Sequence, residues 1–405
     1  MTPTWSDICV SCTELLVNIP VHIFLITFLA SFLGLVLLTY IFLSLVAPIP
    51  RKPLPEEKKY RTISKDGLIT EPQQLPCWQD ALGPKRPESD HVSMEKADLF
   101  MSVVVPAYNE EARLGGMLEE AVDYLEHAYG TLAEERGKKP SSTRKRKKVD
   151  VNGDSDNNDN KGWEIIIVSD GSNDRTEEVA FSFARDHQLS LHPRGCVGPW
   201  TPESHEGVHI PPGTIRVVSL AKNRGKGGAV THGMRHVRGQ YVVFADADGA
   251  SKFDDLGKLV VACRDIEDSN GRGVAVGSRA HMVGSEAVVN RSKIRNFLMH
   301  SFHLILWLMT PRKTATIKDT QCGFKLFSRA SLPYIIPYMH SEGWIFDVEM
   351  LMLAEFEGIP VAEVPVTWRE VKGSKLNVIR DSIGMAWGLA ILRAAWSFRV
   401  YRRTS

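Results

Sequence analysis

Two aspartates separated by one residue, Asp246 and Asp248, follow a short hydrophobic run from Tyr241 to Ala245. Carboxylates so spaced at the carboxyl end of a strand can share a hard divalent cation, Mg²⁺ or Mn²⁺, and such an ion neutralises a diphosphate. Aspartate is also a common turn residue after a strand, so the pair gains meaning only from its company. After the apolar run Met101 to Val105 come Pro106, Ala107, Tyr108, Asn109 and Glu110, an aromatic and a carboxylate suited to stack on and hydrogen-bond a base. Asn109 as a helix N-cap is the purely structural alternative. After Trp163 to Val168 come Ser169, Asp170, Gly171, Ser172, Asn173 and Asp174. Gly171 permits a tight turn and Asp174 can cap the next helix, which leaves Asp170 facing a crevice with no structural duty. Finally, Asn223-Arg224-Gly225-Lys226-Gly227-Gly228 opens a helix with backbone amides and two cations, a cradle for phosphate. It lacks the earlier glycine and the Ser/Thr of a P-loop and does not complete G-x-G-x-x-G, which weakens kinase-like and dehydrogenase readings together.

The elements that must position these loops follow from periodicity. Helical spacing runs from Asn109 to Tyr129, from about Asp174 to His187 and from Lys226 to His236. These alternate with strands at 101–105, 163–168, 215–220 and 241–245, and one more strand follows at 274–277. Such alternation predicts a three-layer α/β fold with a mainly parallel sheet and right-handed crossovers. Ligands in such sheets bind at the carboxyl ends of the strands. Beyond residue 277 the rhythm dissolves. Apolar helices with flanking arginine and tryptophan, near 294–309 and 377–401, have the character of membrane-interface helices, with ordinary core helices as the alternative.

Two stretches break the pattern. Residues 136–161 join a basic block to an acidic, apolar-poor one and read as a disordered insert. Residues 190–213, with several prolines and three irregularly spaced histidines (His192, His205, His209), read as a surface loop without a zinc site. Ahead of the α/β region, no charged residue occurs from Ile23 to Pro50, while Arg51, Lys52, Lys58, Lys59 and Arg61 follow. This predicts a signal anchor over residues 21–47, a short lumenal segment over 1–20 and a cytosolic remainder. Residues 48–98, rich in proline and charge, read as a juxtamembrane linker, 99–290 as the α/β domain and 291–405 as a membrane-interface region. A net charge of +1 over 405 residues argues against a nucleic-acid partner. Six scattered cysteines suit a reducing compartment, and the lone pair Cys9 and Cys12 lacks the partners a metal site needs.

Five motifs in order, Val105–Glu110, Ser169–Ser172, Asn223–Gly227, Asp246–Asp248 and Asp319–Lys325, resemble the family 2 glycosyltransferases that charge polyprenyl phosphates. The resemblance runs from about residue 99 to 401 and implies a GT-A-type fold. It further implies transfer of glucose from UDP-glucose to dolichyl phosphate with inversion, supplying lipid-linked oligosaccharide assembly and protein N-glycosylation at the endoplasmic reticulum membrane. Transfer of mannose from GDP-mannose and a catalytically silent sugar-nucleotide binder are the alternatives. On matching positions, Pro106, Tyr108, Glu110 and Asp170 would hold the uridine, Lys226 would lie near the nucleotide, and Asp246 with Asp248 would bind Mg²⁺ or Mn²⁺. Arg279, Arg295, Arg369 and Lys375 would surround the phosphates with Ser374, while Gln321, Trp344, Asp347 and Glu349 would line the sugar and acceptor side. Two positions depart from the related mannose synthases: Ser169 replaces an Asp, and Ala250 stands where a metal-ligating Gln is usual.

Overall fold

A computed structural model describes residues 20–82, 94–130, 162–282, 309–371 and 378–402. The Cys9/Cys12 pair, the insert at 136–161, most of the apolar stretch at 294–309, and Arg295, Ser374 and Lys375 lie outside the described residues.

The chain divides into two units, residues 1–47 with 391–402, and residues 48–390 with 403–405. The first contains helix α1, Val21–Val46, 26 residues whose apolar window has a mean hydropathy of 2.5 and is not buried. At about 1.5 Å per residue it is long enough to cross a hydrocarbon layer of roughly 30 Å.

The second unit is built on a seven-stranded sheet. Its strands are β3 (Leu99–Ala107), β4 (Trp163–Ser169), β5 (Ile215–Ser219), β6 (Gly239–Ala245), β7 (Val274–Ser278), β8 (Phe324–Ser328) and β9 (Val361–Pro365). The spatial order is β5-β4-β3-β6-β8-β7-β9, and β8 alone runs antiparallel to its neighbours. Helices α2 (Leu114–Tyr129) and α3 (Thr176–Leu189) connect β3 to β4 and β4 to β5, while α4 (Gly225–Met234) carries the chain back across to β6. The order therefore reverses between β3 and β6, and a crevice opens where their carboxyl ends diverge. Strand β3 is buried on both faces, which is why it reads as an apolar run broken only by Ser102, whose hydroxyl donates to Glu164 at 2.7 Å. Val103 and Val105 join the core cluster with Leu118 and Ala121 of α2, while Val104 meets α4 at Gly233, where a Cβ would come within 2.5 Å of Val104 Cγ1.

Several expectations need correction. Helix α2 begins at Leu114; the stretch from Asn109 is a turn, with Asn109 left-handed at φ 54° and its Oδ1 accepting the Asn173 amide at 2.7 Å. It stitches two strand-end loops together instead of capping a helix. Helix α5 (Leu256–Ile266) connects β6 to β7, and the sheet does not stop at β7: helices α6 (Phe346–Phe356) and α7 (Val378–Ser397) accompany two more strands, β8 inserted between β6 and β7 and β9 added at the edge. Their strands are short and flanked by irregular chain, so periodicity alone gave no sign of them. Residues 51–82 are no slack linker. Strands β1 (Lys59–Tyr60) and β2 (Gln73–Gln74) pair with each other, Arg61 pairs with Val217 beside β5, and Ile63, Leu75 and Trp78 are buried.

The loop at 190–213 is likewise a fitted strap. Two buried carboxylates of α2 hold it, with Glu119 accepting the Cys196 amide at 2.8 Å and Glu120 the Trp200 amide at 2.8 Å. Burial pushes the Glu120 carboxyl up to about 7, ahead of the opposing bond from Trp200. The four described cysteines are all free.

Candidate active site

Strand β6 delivers Asp246 and Asp248 to the switch point, and the chain turns sharply there because Gly249 adopts φ +66°. Asp248 Oδ1 accepts the Ala250 amide at 3.0 Å, and Oδ2 lies 3.7 Å from Arg113 Nη1. Lys226, one residue into α4, places its ammonium 2.6 Å from Asp246 Oδ1. Burial pushes the Asp248 carboxyl above its usual range, and the neighbouring Asp246 adds to it. For Lys226 burial pulls the other way, but Asp246 and Asp347 outweigh it and hold the ammonium above its ordinary value.

The backbone beneath is fitted to these acids. Gly323 donates no side chain because none would fit: a Cβ there would stand 2.1 Å from Asp246 Oδ2. Its carbonyl accepts the Asp246 amide at 3.2 Å. Two hard oxygen donors side by side and partly desolvated are the donor set a small divalent cation takes. Ala250 contributes no ligand, and no cluster of three His, Cys, Asp or Glu suited to a metal occurs among the described residues. The residues therefore fit a cation whose other ligands come from the diphosphate or solvent.

On the β3 side, Glu110 receives a bidentate pair from Arg113, at 2.7 and 2.6 Å, so Arg113 bridges the Tyr108–Glu110 loop to Asp248. Sequence reading missed Arg113; its spacing of three from Glu110 was the available signal. Tyr108 is 38% exposed. Asp170 does have a structural duty, contrary to expectation. It is buried and its Oδ1 accepts the Arg224 amide at 2.6 Å, tying the end of β4 to the start of α4. Burial pushes its carboxyl up to about 6 despite bonds from the Arg224 and Gly225 amides.

On the other side, Arg279 at the end of β7 is held by Asp319 in a fork, with Nε at 2.6 Å and Nη2 at 2.8 Å from its two oxygens. Burial opposes charge in both, but the pairing wins: Asp319 lies below its usual range and Arg279 above. Gln321 donates to Met385 Sδ of α7 at 3.0 Å. Asp347 lies buried in α6 against Lys325 Nζ, which also donates to the Cys322 carbonyl at 2.6 Å. Burial holds the Asp347 carboxyl up, partly offset by Lys325 and Lys226. Glu349 is spent on its own loop, accepting the Ser341 amide at 2.7 Å and the His340 amide at 3.0 Å. Trp344 is 41% exposed. Arg369 stacks 4.6 Å over the Trp200 ring, and the Trp200 indole N–H donates to the Gly249 carbonyl at 2.9 Å. The strap thus braces the turn that follows Asp248. Lys226 is in direct contact with Asp246, and Arg113 links Asp248 to Glu110.

An α/β sheet with paired carboxylates at its switch point, a cationic helix start and a base-sized aromatic edge defines a nucleotide-sugar glycosyltransferase of GT-A type. Residues 201–333 match the family model Glycosyl transferase family 2. A dolichyl-phosphate beta-glucosyltransferase of Saccharomyces cerevisiae is 39% identical over 93% of this chain and 94% of its own length. The Homo sapiens protein of the same name is 36% identical over 75% and 77%. The chain belongs to the dolichyl-phosphate β-glucosyltransferase family. Among solved structures, glucosyl-3-phosphoglycerate synthase from Mycobacterium tuberculosis with Mn²⁺ and UDP-glucose is similar over 73% of this chain and 80% of its own, at 16% identity and a TM-score of 0.45.

Proposed function

We propose that this protein transfers glucose from UDP-glucose to dolichyl phosphate, inverting the anomeric centre. Membership of the family carries the reading, and one observation gives it a chemistry: Asp246 and Asp248 sit together at the switch point with Lys226 and Arg113 as their nearest cations. A bound Mg²⁺ or Mn²⁺, held by Asp246 and Asp248, would neutralise the diphosphate and favour its departure. The protein's own groups do the rest. Tyr108 and the Glu110–Arg113 pair hold the base side, Lys226 and the α4 amides meet the phosphates, and Arg279 and Arg369 add positive charge where the anionic acceptor must approach. A phosphate monoester with a second pKa of about 6 is already largely dianionic at neutral pH, so it attacks C1 without a general base.

That economy agrees with the carboxylates nearby. Glu110 is paired with Arg113, Asp319 with Arg279 and Asp347 with Lys325, which leaves none of the three poised to take a proton. Helix α1 and the basic residues after it support a single-pass anchor in the endoplasmic reticulum membrane with the catalytic unit on the cytosolic face. Exposed Ile383 and Trp387, one turn apart on α7, support an interfacial role for that helix in delivering a lipid acceptor. Membranes carrying the protein should convert labelled UDP-glucose and dolichyl phosphate, but not GDP-mannose, into an acid-labile glycolipid, and EDTA should stop the reaction. A mannolipid, or transfer undiminished by EDTA, would overturn the donor or the metal assignment respectively.

A further inference from the structure

The segment directly behind the anchor is built into the donor site. Arg51 stands five residues after the end of α1 and closes a fork on Glu57, with Nη2 at 2.6 Å and Nη1 at 3.0 Å. Glu57 is fully buried. Its carboxylate also accepts the Leu54 amide at 2.8 Å and, across the fold, the Ala221 amide at 3.0 Å. Burial would raise this acid, yet Arg51 and the two amides overcome it and hold the carboxyl below its usual range. Ala221 opens the turn that leads from β5 into α4.

One further bond fastens the same turn to the same segment, and another joins that segment to α4 itself. Arg224 Nη2 donates to the Arg51 carbonyl at 2.7 Å while its Nε donates to Glu342 at 2.8 Å, and the Glu342 carbonyl accepts the Gly228 amide at 3.1 Å. One turn further along α4, His232 Nε2 donates to the Glu57 carbonyl at 2.8 Å. Burial, with His236 beside it, lowers that imidazole to about 3, so it is neutral and its proton sits on Nε2. At the far end of α4, Trp78 Nε1 donates to the Met234 carbonyl at 2.7 Å. Residues 51–78 therefore grip α4 at both ends, and the grip on its amino end falls on the turn that carries Lys226.

We propose that Glu57 is a positioning residue for the donor: it holds the Ala221–Arg224 turn, and through it Lys226 and the α4 amides, in place for the diphosphate. This rests on the reading of that turn as the diphosphate cradle. A carboxylate serves here because it alone can accept two backbone amides and a guanidinium at once.

The test uses the full-length chain in membranes. Glu57→Ala should raise KM for UDP-glucose about tenfold, the size of one charge-assisted hydrogen bond, while KM for dolichyl phosphate stays within about twofold. Glu57→Gln keeps one oxygen acceptor and should fall between wild type and Glu57→Ala. Arg51→Ala, with a third of its side chain already exposed, is the milder control and should shift donor KM in the same direction. Titration of UDP with Mn²⁺ against the detergent-purified chain should rank the variants identically, and it reads the turn whether or not glucose reaches the lipid. Failure of wild type to make glucolipid would therefore strike the proposed reaction and leave this inference standing. Unchanged UDP affinity in Glu57→Ala, or equal losses toward donor and acceptor, would overturn the inference itself.

Discussion

At the scale of single residues, the site is a set of charges whose pairing decides its behaviour. Asp248→Asn keeps the oxygen that accepts the Ala250 amide but removes the charge, so turnover should fall by at least roughly a thousandfold, as loss of preorganised charge stabilisation does, with the melting temperature little changed. Rate measurements beside a thermal melt check this, and a variant of near-normal rate would refute the role. Asp170 gives a pH-dependent test. Its carboxyl is raised from 3.8 to about 6 by burial, so the fold prefers the protonated form; that contribution is fully present below pH 3.8 and lost as pH rises through about 6. Asp170→Asn stays neutral and can still accept the Arg224 amide. It should match wild type in stability near pH 3.5 and exceed it by about 2 kcal/mol at pH 7.5. Urea melts at the two pH values read the difference, and a gap independent of pH would contradict it. Asp246, Asp248, Asp170 and Glu110 were legible as candidates in the sequence because each sits in a strand-end loop beside its own motif. Glu57, Arg113 and Glu342 were not read there: Glu57 and Glu342 act on residues 164 and 118 positions away, and Arg113 belongs to a turn that periodicity assigned to a helix.

At the scale of elements, placement depends on close backbone approach and on the strap. Gly323→Ala would force a methyl against the Asp246 carboxylate while leaving β8 intact, so activity should drop about a hundredfold with the fold retained. Circular dichroism with a Mn²⁺ titration would show a weakened metal response, and normal Mn²⁺ affinity would sink the argument. Trp200→Phe keeps a ring beneath Arg369 but loses the bond to the Gly249 carbonyl, worth about 1 kcal/mol, and kcat should fall about fivefold. The parallel half of the sheet was readable from its buried apolar runs. The strap was not, because prolines and histidines report a loop and say nothing of the carboxylates on α2 that fasten it.

At the scale of the whole molecule, a chain of residues 48–405 should keep UDP binding yet lose most turnover on dolichyl phosphate in bilayers, and regain it on a short, water-soluble prenyl phosphate. Comparing the two acceptors checks this; equal losses on both would assign the anchor a role in chemistry instead of delivery. The reversed strand β8 has a further consequence. In a parallel sheet only the chain leaving a strand reaches the working edge, but β8 runs backwards, so it is the chain entering it, Asp319 to Gly323, that arrives beside Asp246 and Arg279. That wall of the crevice thus comes from a loop remote in sequence from the turns after β3, β4 and β5. Gly323 ties that loop to Asp246, so the crevice is a joint between two stretches of chain far apart in sequence, and a change at Gly323 is felt at Asp246.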